Sequence, residues 1–224
     1  MACRIVILGG PGAGKGTQAR RLAKAFGMAH ISTGDIFRSH VENKTEVGRK
    51  IEEYMKSGKL LPDALACEIV ARRLAEADCQ DGYVLDGFPR SIPQARELER
   101  LLAERGEALD VALNLAVTDD EIVERVADRW TCPVCGRIYN VKSKPPAREG
   151  ICDRIECSSA ALAHRDDDTE DVIRRRLEVY HQTTEPIIAF YREKELLDTV
   201  GGANLSADEV TRRIEAVLRA RKKL

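Results

Sequence analysis

Residues 5–17, IVILGGPGAGKGT, restrict this chain more than any other stretch. Four apolar residues, Ile5 to Leu8, run directly into Gly9, Gly10, Gly12, Gly14, Lys15, Gly16 and Thr17, and a helix-forming segment (Gln18 to Phe26) follows. That order reads as a buried strand, a glycine-rich turn and a helix N-terminus. The spacing Gly9-x-x-x-x-Gly14-Lys15 fits a loop that cradles phosphate. Glycines let successive N–H groups converge on one anion, while the helix dipole and the Lys15 ammonium add positive potential. Gly10, Gly12, Ala13, Gly14, Lys15, Gly16 and Thr17 are the residues expected around a nucleotide polyphosphate. The hydroxyl that usually follows the lysine and holds Mg²⁺ is replaced by Gly16, with Thr17 one place later. The metal is therefore expected on phosphates and waters, with a carboxylate elsewhere in the chain.

Composition narrows the class. With 224 residues and 43% hydrophobic content, the chain is long enough for one α/β domain with insertions and a full core. Aromatic residues are only 4%, too few for a base-stacking platform, and the net charge of −1 leaves no basic excess for a polyanion. No signal or transit segment and no apolar run of membrane-spanning length is evident, so a cytosolic location without membrane or nucleic-acid partners is expected. Seven cysteines then need an explanation other than disulfides. Cys3, Cys67 and Cys79 lie among apolar segments and read as small buried hydrophobes.

Strand and helix signals alternate. Strands are expected at Cys3–Leu8, at Tyr83-Val84-Leu85 ending in Asp86-Gly87, at Val111–Val117 and at Leu196–Val200. Helices are expected over Gly14–Phe26, over Ser91–Arg105 with Pro93 near its start and Gly106 at its end, and after a Thr118-x-x-Glu121 capping box. A long helix over Glu170–Glu195 should be kinked or split by Pro186. Ser206-x-x-Glu209 caps a last helix with Val210, Ile214 and Val217 on one face. Such alternation means a parallel sheet covered by helices on both faces. Residues 32–61, which hold only short helical segments, and 129–168, rich in Cys, Pro, Gly and Ser, break the rhythm and read as insertions on the core.

Three further segments carry chemistry. His30-Ile31-Ser32-Thr33-Gly34-Asp35 follows the first helix, with Arg38 one turn past Asp35. Gly58-Lys59-Leu60-Leu61-Pro62-Asp63 is a turn that opens a helix at Pro62. Leu85-Asp86-Gly87-Phe88-Pro89-Arg90 ends a strand in a carboxylate and an arginine, where α/β sheets place ligands. Together with GGPGAGKGT, the motifs STGD, GKL-x-PD and LDGFPR-x-x-x-Q resemble those of the adenylate kinases, over residues 4 to about 200.

The resemblance implies a P-loop nucleoside-triphosphate-hydrolase type of fold. The core would comprise 1–31, 62–128 and 169–224, with an AMP-binding insertion at 32–61 and a zinc-bearing lid at 129–168. It implies reversible Mg²⁺-dependent transfer of a phosphoryl group from ATP to AMP, giving two ADP, by a monomer. Thr33, Leu61, Gly87 and Gln94 would surround the AMP base. Arg38 and Arg90 would hold its phosphate, as planar guanidiniums suit phosphate oxygens. Asp86 would hold Mg²⁺ through its waters, with Asp35 assisting. Arg125, Arg129, Arg165 and Arg176 fall on positions that grip ATP and the transferred phosphoryl, the last two also reaching AMP. With Lys15 and Arg90 they form the implied catalytic set. Arg125 and Arg129, four apart, are expected on one helix face. Arg174 and Arg175 read as solvated. Ile138 and Tyr139, after Arg137, would meet the donor base from the lid, and the Gly201-Gly202-Ala203 loop would meet its edge through Ala203.

The remaining cysteines form two pairs, Cys132-x-x-Cys135 and Cys152-x4-Cys157, with sixteen residues between them. Two such pairs in a cytosolic chain read as a tetrahedral structural Zn²⁺ site inside the lid. The longer second pair departs from the usual Cys-x2-Cys or Cys-x2-Asp, leaving the fourth ligand as Cys157, with His164 or Asp153 as alternatives. Three competing functions remain: phosphotransfer from GTP, a non-catalytic nucleotide or metal sensor, and a nucleic-acid-binding zinc ribbon. The complete arginine set weighs against the sensor, and the composition against the ribbon.

Overall fold

The computed structural model describes residues 3–142, 144–165, 168–202 and 205–221. β1 (Cys3–Leu8) leads into α1 (Lys15–Phe26), then β2 (Ala29–Ser32), α2 (Thr33–Glu42), α3 (Glu46–Ser57) and α4 (Asp63–Leu74). β3 (Gly82–Asp86), α5 (Ile92–Glu104), β4 (Val111–Ala116) and α6 (Asp119–Ala127) follow. Two short antiparallel strands, β5 (Arg129–Thr131) and β6 (Ile138–Asn140), lie in the cysteine-rich segment. α7 (Glu170–Val179), a π-helical turn over Tyr180–Thr184, α8 (Pro186–Glu193), β7 (Leu197–Gly201) and α9 (Ala207–Ala220) complete the order.

The main sheet has five strands in the order β2-β3-β1-β4-β7, and every neighbouring pair runs parallel. Parallel pairs require crossovers, and helices supply them on both faces. β1 is accordingly apolar on both sides. Cys3, Ile5 and Ile7 share a core layer with Ala19 and Leu22 of α1 and Ile214 and Leu218 of α9. Val6 and Leu8 point the other way, into a layer with Val70 of α4, Leu98 of α5 and Tyr191 of α8. Chain order reverses on either side of β1, which neighbours both β3 and β4. The C-terminal ends of β1 and β3 therefore open at a topological switch point, where ligands collect in such sheets.

Several elements differ from the sequence expectation. β2 is an additional strand: Ala29 and Ile31 are buried while His30 and Ser32 are half-buried, an alternation too short to stand out beside the first helix. Residues 32–61 hold two full helices, anchored by Phe37 and Ile51 in the core. Thr118 makes no side-chain cap, and the Glu121 carboxylate accepts a hydrogen bond from Arg125 at 2.8 Å. α6 ends at Ala127, and Arg129 lies on β5, paired with Asn140. Arg125 and Arg129 thus do not share a helix face. On α9 the third buried position is Leu218, with Val217 half-buried. The expected break at Pro186 takes the form of the π turn: proline has no N–H to donate, and the widened turn is closed by Glu185 N–H donating to the Tyr180 carbonyl at 2.8 Å.

Candidate active site

The phosphate loop, residues 9–14, curls between the end of β1 and the start of α1, pressed on Ile122 and Val126 of α6. Lys15 folds back over it, Nζ donating to the carbonyls of Gly9 at 2.8 Å and Gly10 at 2.7 Å. Burial pushes the Lys15 ammonium down to about 8; nearby Asp86 opposes this, and Arg90, Arg176 and Arg129 reinforce it. Lys15 thus feels three guanidiniums and the Asp86 carboxylate, and of the three Arg129 is paired with Asp168. The excess positive charge matches a polyanion such as a chain of phosphates.

Gly16 explains why no hydroxyl follows the lysine. A β-carbon there would stand 3.1 Å from Asp86 Oδ2. The buried Asp86 carboxylate, at the end of β3, occupies the ground that a side chain at position 16 would need. It offers a hard, anionic oxygen beside the loop, the donor type that Mg²⁺ takes directly or through water.

The neighbouring loop is held by main-chain and side-chain bonds. Gly87 has φ +83°, and a β-carbon on it would meet Thr33 Oγ1 at 2.6 Å. Thr33 Oγ1 itself donates to the Asp86 carbonyl at 3.3 Å. Arg90 Nε donates to the Gly87 carbonyl at 2.7 Å, and the Arg90 N–H donates to Gln94 Oε1 at 2.7 Å. Gln94 Nε2 donates to Asp63 Oδ1 at 2.7 Å, which also accepts from Ser91 Oγ at 2.9 Å. Thr184 Oγ1 donates to the Arg90 carbonyl at 2.8 Å, so the π turn braces the same loop. Asp63, Ser91 and Thr184 are supports that sequence reading did not single out; Asp63 and Ser91 lie within or beside the quoted motifs. Arg38 pairs with Asp35, its guanidinium lying over Gly34. One cavity is lined by Lys15, Arg38, Leu61, Gly87, Arg90, Gln94 and Arg176, and thus brings together residues expected on both nucleotides.

On the other side, Arg125 Nη2 donates to Glu121 at 2.8 Å and to the Gly202 carbonyl at 2.8 Å. Arg129 Nε donates to Asp168 Oδ2 at 2.7 Å, and its Nη2 to Oδ1, in a bidentate pair whose carboxylate is fully buried. Arg165 is half-buried at the exit of the cysteine-rich segment. Arg174 pairs with Glu170 on the surface, and Arg175 is exposed with Nε donating to the Asp171 carbonyl, so both are solvated as expected. Ala203 lies outside the described residues. Ile138 is half-buried, whereas Tyr139 is 1% exposed and turns its hydroxyl to the cysteine cluster, 3.4 Å from Cys152 Sγ. The Asp153 N–H donates to that hydroxyl at 2.8 Å, and the Arg137 guanidinium stacks 5.2 Å from the ring centroid.

The ligand atoms of Cys132, Cys135, Cys152 and Cys157 all lie within 4.8 Å of one another. Three of the four residues are buried and Cys135 is half-buried. Four thiols converging from two turns could hold a soft or borderline divalent ion, the donor type and number of a structural site. Neither sequence alternative belongs to it: Asp153 Oδ1 accepts from the Ala147 N–H at 2.7 Å, and His164 packs edge-on to Trp130 at 4.9 Å. Among the described residues no helix is long and apolar enough to cross a membrane.

Comparison with known proteins agrees with this arrangement. The family model described as adenylate kinase matches residues 7–196. An adenylate kinase of Caldicellulosiruptor saccharolyticus is 48% identical over 214 residues, covering 96% of this chain and 98% of its own. One of Caldanaerobacter subterraneus subsp. tengcongensis is 46% identical over 215 residues, 96% of each chain. One of Finegoldia magna is 45% identical over 216 residues, 96% of this chain and 99% of its own.

Proposed function

The chain belongs to the adenylate kinase family, and from that premise we propose how its residues divide the work of reversible phosphoryl transfer from ATP to AMP, giving two ADP. The observation that carries the proposal is Lys15, folded over the phosphate loop within reach of the charges of Asp86, Arg90, Arg176 and Arg129 at the switch point of the sheet.

The phosphate loop, Gly10 to Thr17, wraps the ATP phosphates, and Lys15 follows the moving phosphoryl. Arg38 and Arg90 hold the AMP phosphate, while Thr33, Leu61, Gly87 and Gln94 enclose its base. Arg125, Arg129, Arg165 and Arg176 neutralise the charge that spreads over the transferred group. The attacking oxygen belongs to a phosphate already ionised at neutral pH, so the chain needs no general base. Its task is positioning and charge stabilisation. Asp86 is the carboxylate that would hold magnesium through water, and the ion would supply charge neutralisation on the phosphates. Residues 129–168 act as a lid that keeps water from the transferred phosphoryl, with Ile138, the main chain at Tyr139 and the loop at Ala203 bounding the donor base. Residues 32–61 close over AMP, and the rest forms the core. The four-cysteine cluster holds structural zinc, which orders a lid too small for a core of its own. A cytoplasmic monomer fits the seven free thiols.

The test is ADP formation from ATP, AMP and Mg²⁺ by the zinc-loaded protein, with GTP replacing ATP and with UMP or CMP replacing AMP. Turnover confined to ATP with AMP is the expected outcome, and Lys15→Met should abolish it with the fold intact. Faster turnover with GTP would reassign the donor, and full activity in the Lys15 variant would overturn the assignment of Lys15.

A further inference from the structure

Arg20, on the second turn of α1, belongs to none of the motifs above, yet its side chain joins two distant parts of the chain. Nε donates to the Gly16 carbonyl in the phosphate-loop helix at 3.2 Å. Nη1 donates to the Gly136 carbonyl, 116 residues away, at 2.7 Å. The fit is close: a β-carbon on Gly136 would stand 2.9 Å from Nη1, and one on Gly16 would stand 3.7 Å from Nη2.

The Gly136 carbonyl is itself held by the cysteine turn. Gly136 directly follows Cys135, and its N–H donates to the Cys132 carbonyl at 2.9 Å. The Cys132 N–H donates in turn to the Arg137 carbonyl at 2.9 Å. Among the described residues, the Arg20 bond is the one hydrogen bond that ties residues 132–137 to the chain outside 129–168. The guanidinium is half-buried, and both bonds are charge-assisted and end on main-chain oxygens, so neither depends on the rotamer of a second side chain.

We propose that Arg20 is a positioning residue for phosphoryl transfer: it fastens the cysteine turn of the lid to the phosphate-loop helix, so that an ordered metal cluster sets the lid over the phosphates. The inference rests on the adenylate kinase reading for its kinetic consequence, but not for the contact. The metal's part is to hold the turn that presents the Gly136 carbonyl. Arg20 converts that order into placement of the lid arginines. A residue in this role acts on the closed state. Losing it weakens ATP capture and eases reopening, and lid closure and reopening set turnover in many enzymes, adenylate kinase being a standard example.

The experiment compares the zinc-loaded wild type with Arg20→Met, which keeps length but donates nothing, and Arg20→Lys, which can reach one carbonyl but not two. Arg20→Met should raise KM for ATP about tenfold, the scale of one lost charged hydrogen bond, without a matching fall in kcat. Arg20→Lys should recover part of the loss. Stripping zinc from the wild type should raise KM for ATP similarly, and stripping it from Arg20→Met should add little, because both act through one contact. Amide hydrogen exchange over residues 132–137 reads the contact without catalysis and should quicken in Arg20→Met. Unchanged exchange there, or unchanged KM for ATP in folded, metal-loaded Arg20→Met, would overturn the proposal. If the wild type itself showed no adenylate kinase turnover, the family reading would fail, and the exchange comparison would still decide for or against the contact.

Discussion

Asp86 stands against the α-carbon of Gly16, its Oδ2 only 3.1 Å from where a β-carbon would be. The two positions are linked as a pair: the absence of a side chain at 16 makes room for the carboxylate at 86. Gly16→Ser obliges the carboxylate or the loop to give by a few tenths of an ångström, less than the ångström-scale misplacement that costs on the order of 100-fold in rate. The expected result is a loss of about tenfold in kcat, with unchanged circular dichroism. A serine variant as fast as the wild type would show that the carboxylate has no fixed task.

Lys15 makes a prediction in pH. Its ordinary value is 10.5, and burial lowers it to about 8 in the ligand-free protein. Bound phosphates restore the charge, so above pH 8 ATP binding should draw a proton from solution, and KM for ATP should rise. Calorimetric titration at about pH 9, in buffers of different ionisation heat, measures the uptake; Lys15→Met should abolish it. In the same range the unfolded chain binds this proton and the folded chain does not. The lysine's contribution to stability therefore rises with pH between 8 and 10.5.

The cysteine cluster predicts a graded response to substitution. Cys157→Ser removes one of four converging thiols and should lower zinc affinity and melting temperature together. Tyr139→Phe leaves all four but removes the hydroxyl 3.4 Å from Cys152 Sγ. Outer contacts of this kind are worth roughly tenfold in metal affinity, which chelator competition can read. Asp153→Ala should keep all four ligands; loss of zinc equal to that in Cys157→Ser would place the fourth ligand elsewhere.

His181 lies between Asp119, at 2.9 Å from Nε2, and Glu185, at 2.8 Å from Nδ1, and so ties the π turn to the start of α6. These two carboxylates raise its pKa above the ordinary 6.5. Its stabilisation should be complete below 6.5 and vanish as pH rises through the raised value. The ring is 42% exposed, so the effect is small. His181→Gln should lower the melting temperature slightly at pH 6 and leave it unchanged at pH 9; an equal drop at both would assign the contact to packing.

What could be read from residues alone was local. The strand-loop-helix at Ile5–Phe26 and the strand ending at Asp86 announce themselves because periodicity, glycine and a charged residue coincide within a few positions. Four cysteines in two tight pairs do the same. What escaped was set by partners far along the chain. β2 exists because Ala29–Ser32 finds Tyr83–Asp86 as a neighbour. Arg129 leaves the helical register because it pairs with Asn140. Tyr139 carries no signal of facing Cys152, and Arg20 lies in no motif, its distant partner Gly136 coming over a hundred residues later.

The packing of α9 on α1 has a bearing on how the protein is made. Ala19, Leu22 and Ala23 of the phosphate-loop helix lie in one layer with Val210, Ile214 and Leu218. Gln18 Nε2 donates to the Ala207 carbonyl at 2.9 Å, and its Oε1 accepts from Thr211 at 2.7 Å. The helix that carries the phosphate loop is thus completed by a helix that leaves the ribosome long after it. Until α9 emerges, a growing chain carries the phosphate-loop motif on a helix with an uncovered apolar flank, and competence to bind ATP waits on a segment made well after the motif itself.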